Sequence, residues 1–380
     1  MVMRVLINAV SIKEGGSLVV LENLLRHMGL QRQGWRWAVA AHPRVVLNLS
    51  PEFVVERVDI GNVDCWSGLL RWYEIGMRRA VREVSADLVF SITNYLPLRT
   101  LSCPTVLLEQ HAGHFSPVFD QLHRQHVRSR LMVLAWDIKT RWVERSVRTA
   151  TALTVQTASL ADAISKRTGR ARQEIRVIPH GPGLVSSGRG RKLGGGGPFR
   201  VGYITKWGVQ KNLAVLVDAV GRLGREGRNI KLVLTLAPHG SGTAEIMAQA
   251  EQWGIDSFVE NNGELDAAGV SALYDSLDLF VFPSLVESFG FPLVEAMAKG
   301  LPLLVADTPG NREVAGAGGY PFVPDDVAGI AASIARMMDD PEARATAAAA
   351  SAVQGRTYSW DRAAAETLAL LEDTLLLGTG

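Results

Sequence analysis

Two glutamates, Glu287 and Glu295, lie eight positions apart around a Gly-Phe-Pro sequence that predicts the start of a helix. Pro292 suits the first helical position, because a proline there loses no hydrogen bond. Apolar residues then follow with helical spacing until Gly300 ends the pattern. The first N–H groups of such a helix form a site for an anion. Glu295 is predicted inside that first turn and Glu287 in the loop before it, so the pair could bind hydroxyls beside a phosphate, as a nucleotide-sugar requires.

Paired carboxylates also serve glycoside hydrolases, which would be a different chemistry. Those enzymes need two carboxyl groups roughly 5–10 Å apart, one of which has a raised pKa. A carboxylate beside a helix N-terminus is expected to be more acidic than usual, because the helix dipole favours its charged form. Glu295 is therefore a poor candidate for the general acid of a hydrolase.

A cationic loop, Gly202–Asn212, follows a predicted strand and precedes a predicted helix. Its two lysines, Lys206 and Lys211, are five positions apart and could both face a diphosphate. Fixed cations stabilise the negative charge that develops on a departing diphosphate without reorganising. The alternative is that both lysines are solvated side chains of an ordinary loop.

Two loops in the N-terminal half carry further candidates. Gly15 and Gly16 follow the first predicted strand and would let the backbone approach a phosphate or a sugar, with Ser17 as the helix cap. This turn is not the Gly-x-Gly-x-x-Gly dinucleotide fingerprint. Downstream, His111 and His114 follow the strand predicted before them, so they are expected at its carboxyl end. The alternative for each histidine is a loop residue with a satisfied hydrogen bond.

Short apolar runs alternate with helical patterns throughout, which predicts parallel sheets covered by helices on both faces. The predicted strands are Arg4–Val10, Leu88–Ile92, Thr105–Leu108, Ala152–Val155, Ile175–Ile178, Phe199–Ile204, Lys231–Leu236, Asp278–Phe282 and Leu301–Val305. The predicted helices are Ser17–Met28, Leu70–Val84, Leu131–Arg148, Ser159–Thr168, Asn212–Leu223, Thr243–Trp253, Ala267–Leu277, Phe291–Lys299 and Ser359–Leu376. An alanine-rich stretch, Ala331–Ala352, is helical by composition with a break at Pro341. The glycine-rich segment Gly181–Pro198 predicts a flexible connector between two domains.

The composition of the 380 residues limits the function classes. A net charge of +2 argues against a dedicated nucleic-acid-binding protein. Two cysteines exclude a disulfide framework and favour a reducing cytoplasm, and the start of the chain reads as a buried strand rather than a signal peptide. No apolar run is long enough to span a membrane. No Asp-x-Asp pair follows a predicted strand, so a required metal is not expected. The pairs Asp325–Asp326 and Asp339–Asp340 border predicted helices and are predicted as helix caps.

Three neighbouring segments carry a family resemblance: Asp278–Ser284, Pro283–Gly300 and Leu301–Gly310. Together they resemble the donor-site signature of the retaining glycosyltransferases of family four. This resemblance implies the α/β GT-B fold, in which two Rossmann-like, doubly wound parallel-sheet domains face each other across a cleft. It implies an acceptor-side domain over residues 1–185, a donor-binding domain over 186–358 and a terminal helix over 359–380 that crosses back to the first domain.

The resemblance also implies roles for individual residues. Glu287 would contact the transferred sugar, His111 would lie near that sugar, and Lys206 and Lys211 would stabilise the diphosphate. The family usually has arginine at the position of Lys206, and lysine keeps the charge but loses the bidentate geometry. The binding residues would be the ribose-binding Glu295, the diphosphate- and acceptor-facing Gly15 and Gly16, and the backbone of Ser288, Phe289, Gly290 and Phe291.

The implied reaction transfers a hexose from a UDP- or GDP-sugar, without a metal or another cofactor, to a saccharide or a lipid-linked acceptor. The segments Asn8–Leu25 and Gly202–Asn212 look most like those of mannose-transferring members that assemble polysaccharides or lipopolysaccharides. The residues leave two other functions open. One is a nucleotide-sugar epimerase on the same fold, and the other is a non-catalytic subunit that binds sugar nucleotides.

A basic amphipathic stretch, Arg124–Arg148, is a possible contact with the inner face of a membrane. Its arginines and lysine alternate with leucine, valine, isoleucine and tryptophan residues. Such a helix can lie on an anionic lipid surface. The alternative is an ordinary domain helix with a charged outer face.

Overall fold

The computed structural model describes residues 2–32, 34–47, 55–183 and 197–378. Most of the predicted connector Gly181–Pro198 lies outside the described residues. Within them the chain divides into two compact units. Unit 1 contains Met1–Ser116, Val127–Gly181 and Ser359–Gly380, and unit 2 contains Pro117–His126 and Pro182–Tyr358.

Thirteen strands are present in the described residues. They are β1 Arg4–Ala9, β2 Arg36–Ala41, β3 Val55–Arg57, β4 Leu88–Ser91, β5 Thr105–Leu108, β6 Ala152–Val155, β7 Ile175–Val177, β8 Phe199–Tyr203, β9 Ile230–Leu234, β10 Val259–Asn261, β11 Leu279–Phe282, β12 Leu303–Ala306 and β13 Gly319–Phe322. All pair in parallel. Unit 1 has the strand order β3-β2-β1-β4-β5-β6-β7, and unit 2 has the order β10-β9-β8-β11-β12-β13.

Helices connect these strands and cover the sheets. They are α1 Gly16–Gln31, α2 Trp66–Arg71, α3 Met77–Glu83, α4 Pro117–His126, α5 Arg130–Thr149, α6 Ala158–Thr168, α7 Leu213–Arg225, α8 Ser241–Gln252, α9 Ala267–Ser276, α10 Phe291–Ala298, α11 Pro309–Ala315, α12 Val327–Asp339, α13 Pro341–Gly355 and α14 Trp360–Gly378. A single π-helical turn, Trp72–Gly76, joins α2 to α3. Among the described residues, no helix combines the length and the apolar character needed to cross a bilayer.

Five interior strands, β4, β5, β6, β11 and β12, are buried along their whole length, as expected for parallel sheets with helices on both faces. In unit 2 the strand β11, Leu-Phe-Val-Phe, is fully buried, and the neighbouring β12 is nearly so. Apolar residues of α7 and α10 pack against these strands in one continuous core. The strands are therefore fixed, and the loops at their carboxyl ends start from rigid positions.

Each sheet reverses its strand order once. The reversal falls between β1 and β4 in unit 1 and between β8 and β11 in unit 2. At such a switch point the two adjacent strands send their following loops in opposite directions, which leaves a crevice outside the carboxyl ends of the strands. These two crevices are the places where the fold alone predicts a ligand.

Several predicted elements are confirmed, including strands β5 and β6, whose bounds are reproduced. The caps are confirmed too, since Asp326 and Asp340 accept hydrogen bonds from Gly329 N and Ala343 N at 2.9 Å each. The break at Pro341 is present, because α12 ends at Asp339 and α13 begins at Pro341. The strands β2, β3 and β13 and the helices α4 and α11 were not predicted.

Two predicted helix starts are wrong by one or two residues. Gly15, rather than Ser17, caps α1, with φ at 73° in the left-handed region that glycine favours. Pro292 occupies the second position of α10 rather than the first, because Gly290 is the cap and Phe291 begins the helix. Both shifts follow from a glycine that can take a positive φ where a side chain would be strained.

Candidate functional site

The candidate residues of unit 2 lie on the two loops that border its switch point. β8 and β11 are hydrogen-bonded neighbours, with Val201 opposite Leu279. The loop after β8 carries Lys206 and Lys211, and the loop after β11 carries Glu287. Sequence positions about 80 residues apart therefore meet because the two strands are adjacent.

Lys211 and Glu287 form a close ion pair. Lys211 Nζ donates to Glu287 Oε1 over 2.5 Å, and each side chain is only 15% exposed. Ser284 Oγ donates to the same carboxylate oxygen over 2.6 Å. Within the described part of the chain, neither Glu287 Oε2 nor the remaining N–H groups of Lys211 has a hydrogen-bond partner. Both groups thus keep unused bonding capacity beside each other.

Burial alone would lower the pKa of Lys211, because it disfavours the charged ammonium. The carboxylate of Glu287 outweighs that effect, and the pKa of Lys211 is raised above its usual value. The ammonium is therefore charged at neutral pH. A permanent cation in a half-enclosed site suits the binding of a diphosphate.

The loop that carries Glu287 is tied to its surroundings by Ser284 and Asn311. Leu285 N donates to Gln210 O over 2.8 Å, which joins the two loops of the crevice. Asn311 Nδ2 donates to Ser284 O over 2.8 Å and to Ala306 O over 3.1 Å. Because Ser284 and Asn311 are both buried, these bonds fix the loop that carries the carboxylate of Glu287.

Lys206 lies on the same loop as Lys211 but in a different environment. Its side chain is 59% exposed, and its ammonium lies 3.6 Å from a carboxylate oxygen of Glu264. An exposed ion pair of this kind contributes little to stability. Lys206 is therefore largely exposed to solvent, whereas Lys211 is held in place by its buried ion pair.

The turn before α10 has the backbone geometry of an anion site. Gly290 has φ 81° and ψ 63°, and a Cβ there would come within 3.1 Å of the Phe282 ring. Only glycine satisfies both the positive φ and the close contact. Phe289 is buried beside it, so the segment from Ser288 to Phe291 turns sharply against the core and directs its backbone to the start of the helix.

Glu295 lies in the second turn of α10, not in the first turn as predicted. The helix begins at Phe291, so Glu295 is its fifth residue. The side chain is 5% exposed, and Tyr274 Oη donates to Glu295 Oε2 over 2.9 Å. Gly183 packs against the other oxygen so closely that a Cβ would lie 2.2 Å from Glu295 Oε1. The carboxylate is therefore held between a tyrosine hydroxyl and a glycine backbone.

In unit 1 the predicted residues lie on separate loops. Gly15 and Gly16 are exposed at the start of α1. His111 follows β5 and is half-buried, and its backbone N donates to Glu109 Oε1 over 2.9 Å. The ring of His111 lies 4.7 Å from that of His114 and 5.6 Å from that of Trp136.

His114 is a structural residue of this loop. It is buried, stacks on Trp136 at 4.3 Å and 11°, and contacts Thr140 Oγ1 through Nδ1 at 2.9 Å. Burial lowers its pKa to about 3, so the ring is neutral at physiological pH. The fully buried Glu109 shows the opposite shift, because burial raises the pKa of its carboxyl well above the usual value.

The edge strand β10 of unit 2 is held by an ion pair. Arg200 donates two hydrogen bonds of 2.8 Å to the carboxylate of Glu260 in β10. These bonds lower the pKa of Glu260 to about 2. Arg200 thus holds the carboxylate of Glu260 at the edge of the sheet. Asn262 and Gly263 form the turn after β10.

Among the described residues, no group of three or more His, Cys, Asp and Glu side chains is placed to hold a metal ion.

Three residues of the candidate site were not predicted from the sequence, and they are Ser284, Asn311 and Tyr274. Ser284 could have been found, since it follows a buried strand at the carboxyl edge. Tyr274 lies in α9 with an apolar helical pattern, and nothing in its local sequence distinguishes it from a core residue.

The chain matches known proteins mainly through unit 2. Residues 193–353 match the family model "Glycosyl transferases group 1". The chain is 28% identical to O-antigen chain mannosyltransferase B of Escherichia coli over 167 residues, which is 44% of each chain. It is 30% identical to glycogen synthase of Mycobacterium tuberculosis over 199 residues, which is 52% of this chain and 48% of the relative. The chain thus spans about half the length of these curated relatives.

The fold resemblance extends over the whole chain. The crystal structure of Anabaena Alr3699/HepE, in complex with UDP and glucose, superimposes with a TM-score of 0.74. It covers 97% of this chain and 99% of its own, at 19% sequence identity. At this identity the likeness concerns the fold alone. Residues 193–353 are thus similar to the glycosyl transferases group 1 family, and the two parallel-sheet units have the GT-B fold.

Proposed function

We propose that the protein is a retaining glycosyltransferase that moves a hexose from a UDP- or GDP-sugar to an acceptor hydroxyl. The observation that carries this proposal is the pairing of Lys211 with Glu287 beside the Gly290 turn, at the switch point of unit 2. A charged ammonium, a carboxylate with one unused oxygen and a tight backbone turn supply what a sugar diphosphate needs. The ammonium and the turn bind the diphosphate, and the carboxylate accepts hydrogen bonds from the sugar.

The proposed reaction is a displacement on one face of the sugar. The acceptor oxygen bonds to the anomeric carbon as the bond from that carbon to the diphosphate oxygen breaks. The acceptor proton passes to the departing diphosphate oxygen. Lys211, together with Lys206 and the backbone of Ser288–Phe291, stabilises the charge on the diphosphate. Glu287 orients the sugar, Glu295 binds the ribose hydroxyls, and His111 is the proposed further contact to the transferred sugar.

For the substrates we propose a mannose-like hexose and a saccharide or lipid-linked acceptor in polysaccharide assembly. The similarity to O-antigen chain mannosyltransferase B supports mannose as the transferred sugar and a polysaccharide as the acceptor. Gly15 and Gly16 are proposed to lie against the diphosphate and the acceptor. No metal is proposed for the reaction, because the two lysines can supply the positive charge.

The direct test is transfer from a panel of UDP- and GDP-sugars, with and without saccharide acceptors. A new glycosidic bond should form only when the acceptor is present. NMR of the product should show the same anomeric configuration as in the donor. A change in the sugar without an acceptor would instead identify an epimerase. Nucleotide binding without turnover on any acceptor would identify a binding subunit. Either result would reject the proposed reaction.

We further propose that α5 contacts an anionic membrane surface. The first half of this helix exposes Leu131, Met132, Leu134 and Ile138, at 78%, 61%, 53% and 47% of their surfaces. Its second half is anchored in unit 1 by buried residues including Trp142 and Val147. The exposed arginines and lysine of the segment are Arg124, Arg128, Arg130, Lys139, Arg141 and Arg148. Exposed apolar residues flanked by cations favour a lipid surface over a purely solvated helix face.

Sedimentation with vesicles tests this contact. Vesicles that contain anionic lipid should bind the protein, and zwitterionic vesicles should bind it much less. Replacing Leu131 and Leu134 with serine should reduce binding, whereas Val353→Ser, at a 63% exposed position on α13, should not. Equal binding by all variants would reject α5 as the contact.

A further inference from the structure

The last residue of β8, Tyr203, places a buried hydroxyl beside the ion pair at the switch point of unit 2. Its side chain is fully buried, and the charges of both Lys211 and Glu287 act on its hydroxyl. Burial, supported by the Glu287 carboxylate and opposed by the Lys211 ammonium, raises the pKa of Tyr203 to about 12. The hydroxyl therefore keeps its proton at neutral pH and can donate a hydrogen bond.

The proton of this hydroxyl has no acceptor in hydrogen-bonding geometry. Tyr203 Oη is enclosed by the protein and has no hydrogen-bond partner within the part of the chain that the structure describes. The hydroxyls of Ser284 and Thr205 are close enough to act on it. Ser284 Oγ, however, donates to Glu287 Oε1 over 2.6 Å, and Thr205 Oγ1 donates to Lys206 O over 3.0 Å. A buried polar group without a partner destabilises the folded protein, so this hydroxyl requires an explanation.

Packing does not explain why residue 203 carries a hydroxyl. Its ring lies edge-on to two rings of β11, with centroid distances of 5.6 Å to Phe282 and 6.2 Å to Phe280. A phenylalanine at position 203 would fill the same space and would leave no polar group unpaired. The same contacts fix the ring of Tyr203, so that its O–H bond is the part of the side chain that can still rotate.

A second buried tyrosine of unit 2 shows what such a hydroxyl can do. The ring of Tyr274 also packs on Phe280, at 5.6 Å, and Tyr274 Oη donates to Glu295 Oε2 over 2.9 Å. Each of the two glutamates proposed to bind the donor thus has a buried tyrosine beside it. Glu295 accepts a hydrogen bond from its tyrosine, whereas Glu287 takes its hydrogen bonds from other groups and leaves the hydroxyl of Tyr203 unused.

We infer that Tyr203 is a positioning residue for Glu287 when the donor is bound. This role rests on the proposed function and deepens it, because it names the group that directs the carboxylate at the transferred sugar. The negative charge of a diphosphate attracts the ammonium of Lys211 and so weakens its bond to Glu287 Oε1. Glu287 then turns towards Tyr203, whose O–H donates to the carboxylate. The remaining lone pairs of Glu287 accept from the sugar hydroxyls.

Binding and stability of Tyr203→Phe test this role on the full chain. Calorimetry would compare GDP-mannose with GDP and UDP-glucose with UDP. For a nucleotide-sugar that the wild type binds, Tyr203→Phe should weaken binding about tenfold, because one hydrogen bond to a charged group is lost. Binding of the nucleotide alone should change by no more than about twofold, since the nucleotide has no sugar for Glu287 to contact.

Stability separates this role from a structural one. The Tyr203 hydroxyl makes no hydrogen bond in the free protein, so urea unfolding should show Tyr203→Phe to be at least as stable as the wild type. A hydroxyl that only supports the fold would instead lower the stability when removed, and it would not distinguish a nucleotide-sugar from its nucleotide.

Two further variants serve as comparisons. Glu295 is proposed to bind the ribose, which the nucleotide and the nucleotide-sugar share, so Tyr274→Phe should weaken the binding of both by the same factor. Tyr320→Phe removes a hydroxyl from the edge strand β13 and should change neither.

The inference is overturned if Tyr203→Phe binds the nucleotide-sugar like the wild type, or if it loses affinity for the nucleotide to the same extent. A Tyr203→Phe variant that is less stable than the wild type, or that does not fold, would also overturn it. In these cases the donor site itself stands, because the wild type binds. A wild type that binds neither nucleotide nor either nucleotide-sugar would overturn the proposed function together with the inference.

Discussion

The two switch points of this chain have the same topology, but the ion pair that borders each of them differs in burial. In unit 2 the crevice is bordered by Lys211 and Glu287, whose charges are buried together and supported from behind by Ser284. In unit 1 the charges of Lys13 and Asp64 cancel at the rim, and hydroxyl and amide groups line a polar cavity of about 190 Å³ between β1 and β4. The same topology can thus carry crevices of different polarity, because the loops and not the strands determine the chemistry.

The cost of preorganisation also differs between the crevices. A buried lysine is stable only while its carboxylate partner is present, so the donor site carries a built-in penalty if either member is lost. The hydroxyls of Ser11 and Ser17, which line the cavity of unit 1, remain accessible to water and carry little penalty. Mutations in the crevice of unit 2 should therefore lower both stability and activity, whereas mutations of Ser11 or Ser17 should have little effect on stability.

The largest expected effect is the loss of transfer in Lys211→Ala. Removing one fixed donor from a charge-stabilising site lowers turnover roughly 100- to 1,000-fold. Steady-state transfer assays measure this change, with Lys166→Ala, an exposed lysine on α6, as the matched control. Lys211→Ala turnover within threefold of the wild type would remove Lys211 from the mechanism.

The next effect concerns stability and isolates the ion pair. Glu287→Gln leaves the ammonium of Lys211 without its counter-charge and should lower the free energy of unfolding by about 3 kcal/mol. Adding Lys211→Met removes the orphaned charge, so the double variant should recover part of that loss. Urea unfolding of the single and the double variant measures both changes in the free energy of unfolding. A single variant as stable as the wild type would mean that the pair is not buried in solution.

A smaller effect is expected at Tyr274, which holds Glu295 through one hydrogen bond of 2.9 Å. Tyr274→Phe removes that bond, whose loss is worth about 1 kcal/mol. Because Glu295 is proposed to bind the ribose, KM for the donor should rise about fivefold while kcat stays nearly constant. Tyr320→Phe on the edge strand β13 is the control. A fall in kcat with no change in KM would assign Tyr274 a different role.

The smallest effect is a pH dependence of the free energy of unfolding, which arises from Glu109 in unit 1. Burial raises the pKa of Glu109, so above the ordinary carboxyl pKa the folded protein holds a proton that the unfolded chain has released. Stability should therefore fall as pH rises from about 4.5 through the raised pKa. Glu109→Gln should remove this fall, whereas the exposed Glu56→Gln should not. Parallel pH–stability curves for the wild type and Glu109→Gln would contradict the shift.

Much of the fold follows from local sequence patterns, and the exceptions have physical causes. Continuous Val, Leu, Ile and Phe runs identified the central strands, because strands buried on both faces need such runs. The strand β2 has the sequence Arg-Trp-Ala-Val-Ala-Ala, in which alanine lowers the strand propensity. The strand β13 contains glycine and Pro321, which a strand tolerates at the edge of a sheet but which local patterns count against it.

The candidate site likewise contains some residues that could be predicted from the sequence and some that could not. Residues on strand-end loops, such as Lys211 and Glu287, could be predicted because loops at the carboxyl ends of parallel strands face a common edge. The burial of Glu295 could not, since it depends on Tyr274 and Gly183, which are distant in sequence and reach it only through the packing of α9 and of the segment before β8. The polar cavity of unit 1 was also missed, because Ser11 and Ser17 are ordinary loop and helix-start residues until the sheet order is known.

The most direct test of the donor site is a crystal structure with UDP and, separately, with GDP. The account predicts that at least one nucleotide places its pyrophosphate within hydrogen-bonding distance of Lys211 Nζ and of the backbone between Ser288 and Phe291. It also predicts that the ribose hydroxyls lie at Glu295. A nucleotide bound elsewhere, or a pyrophosphate out of reach of Lys211, would contradict it.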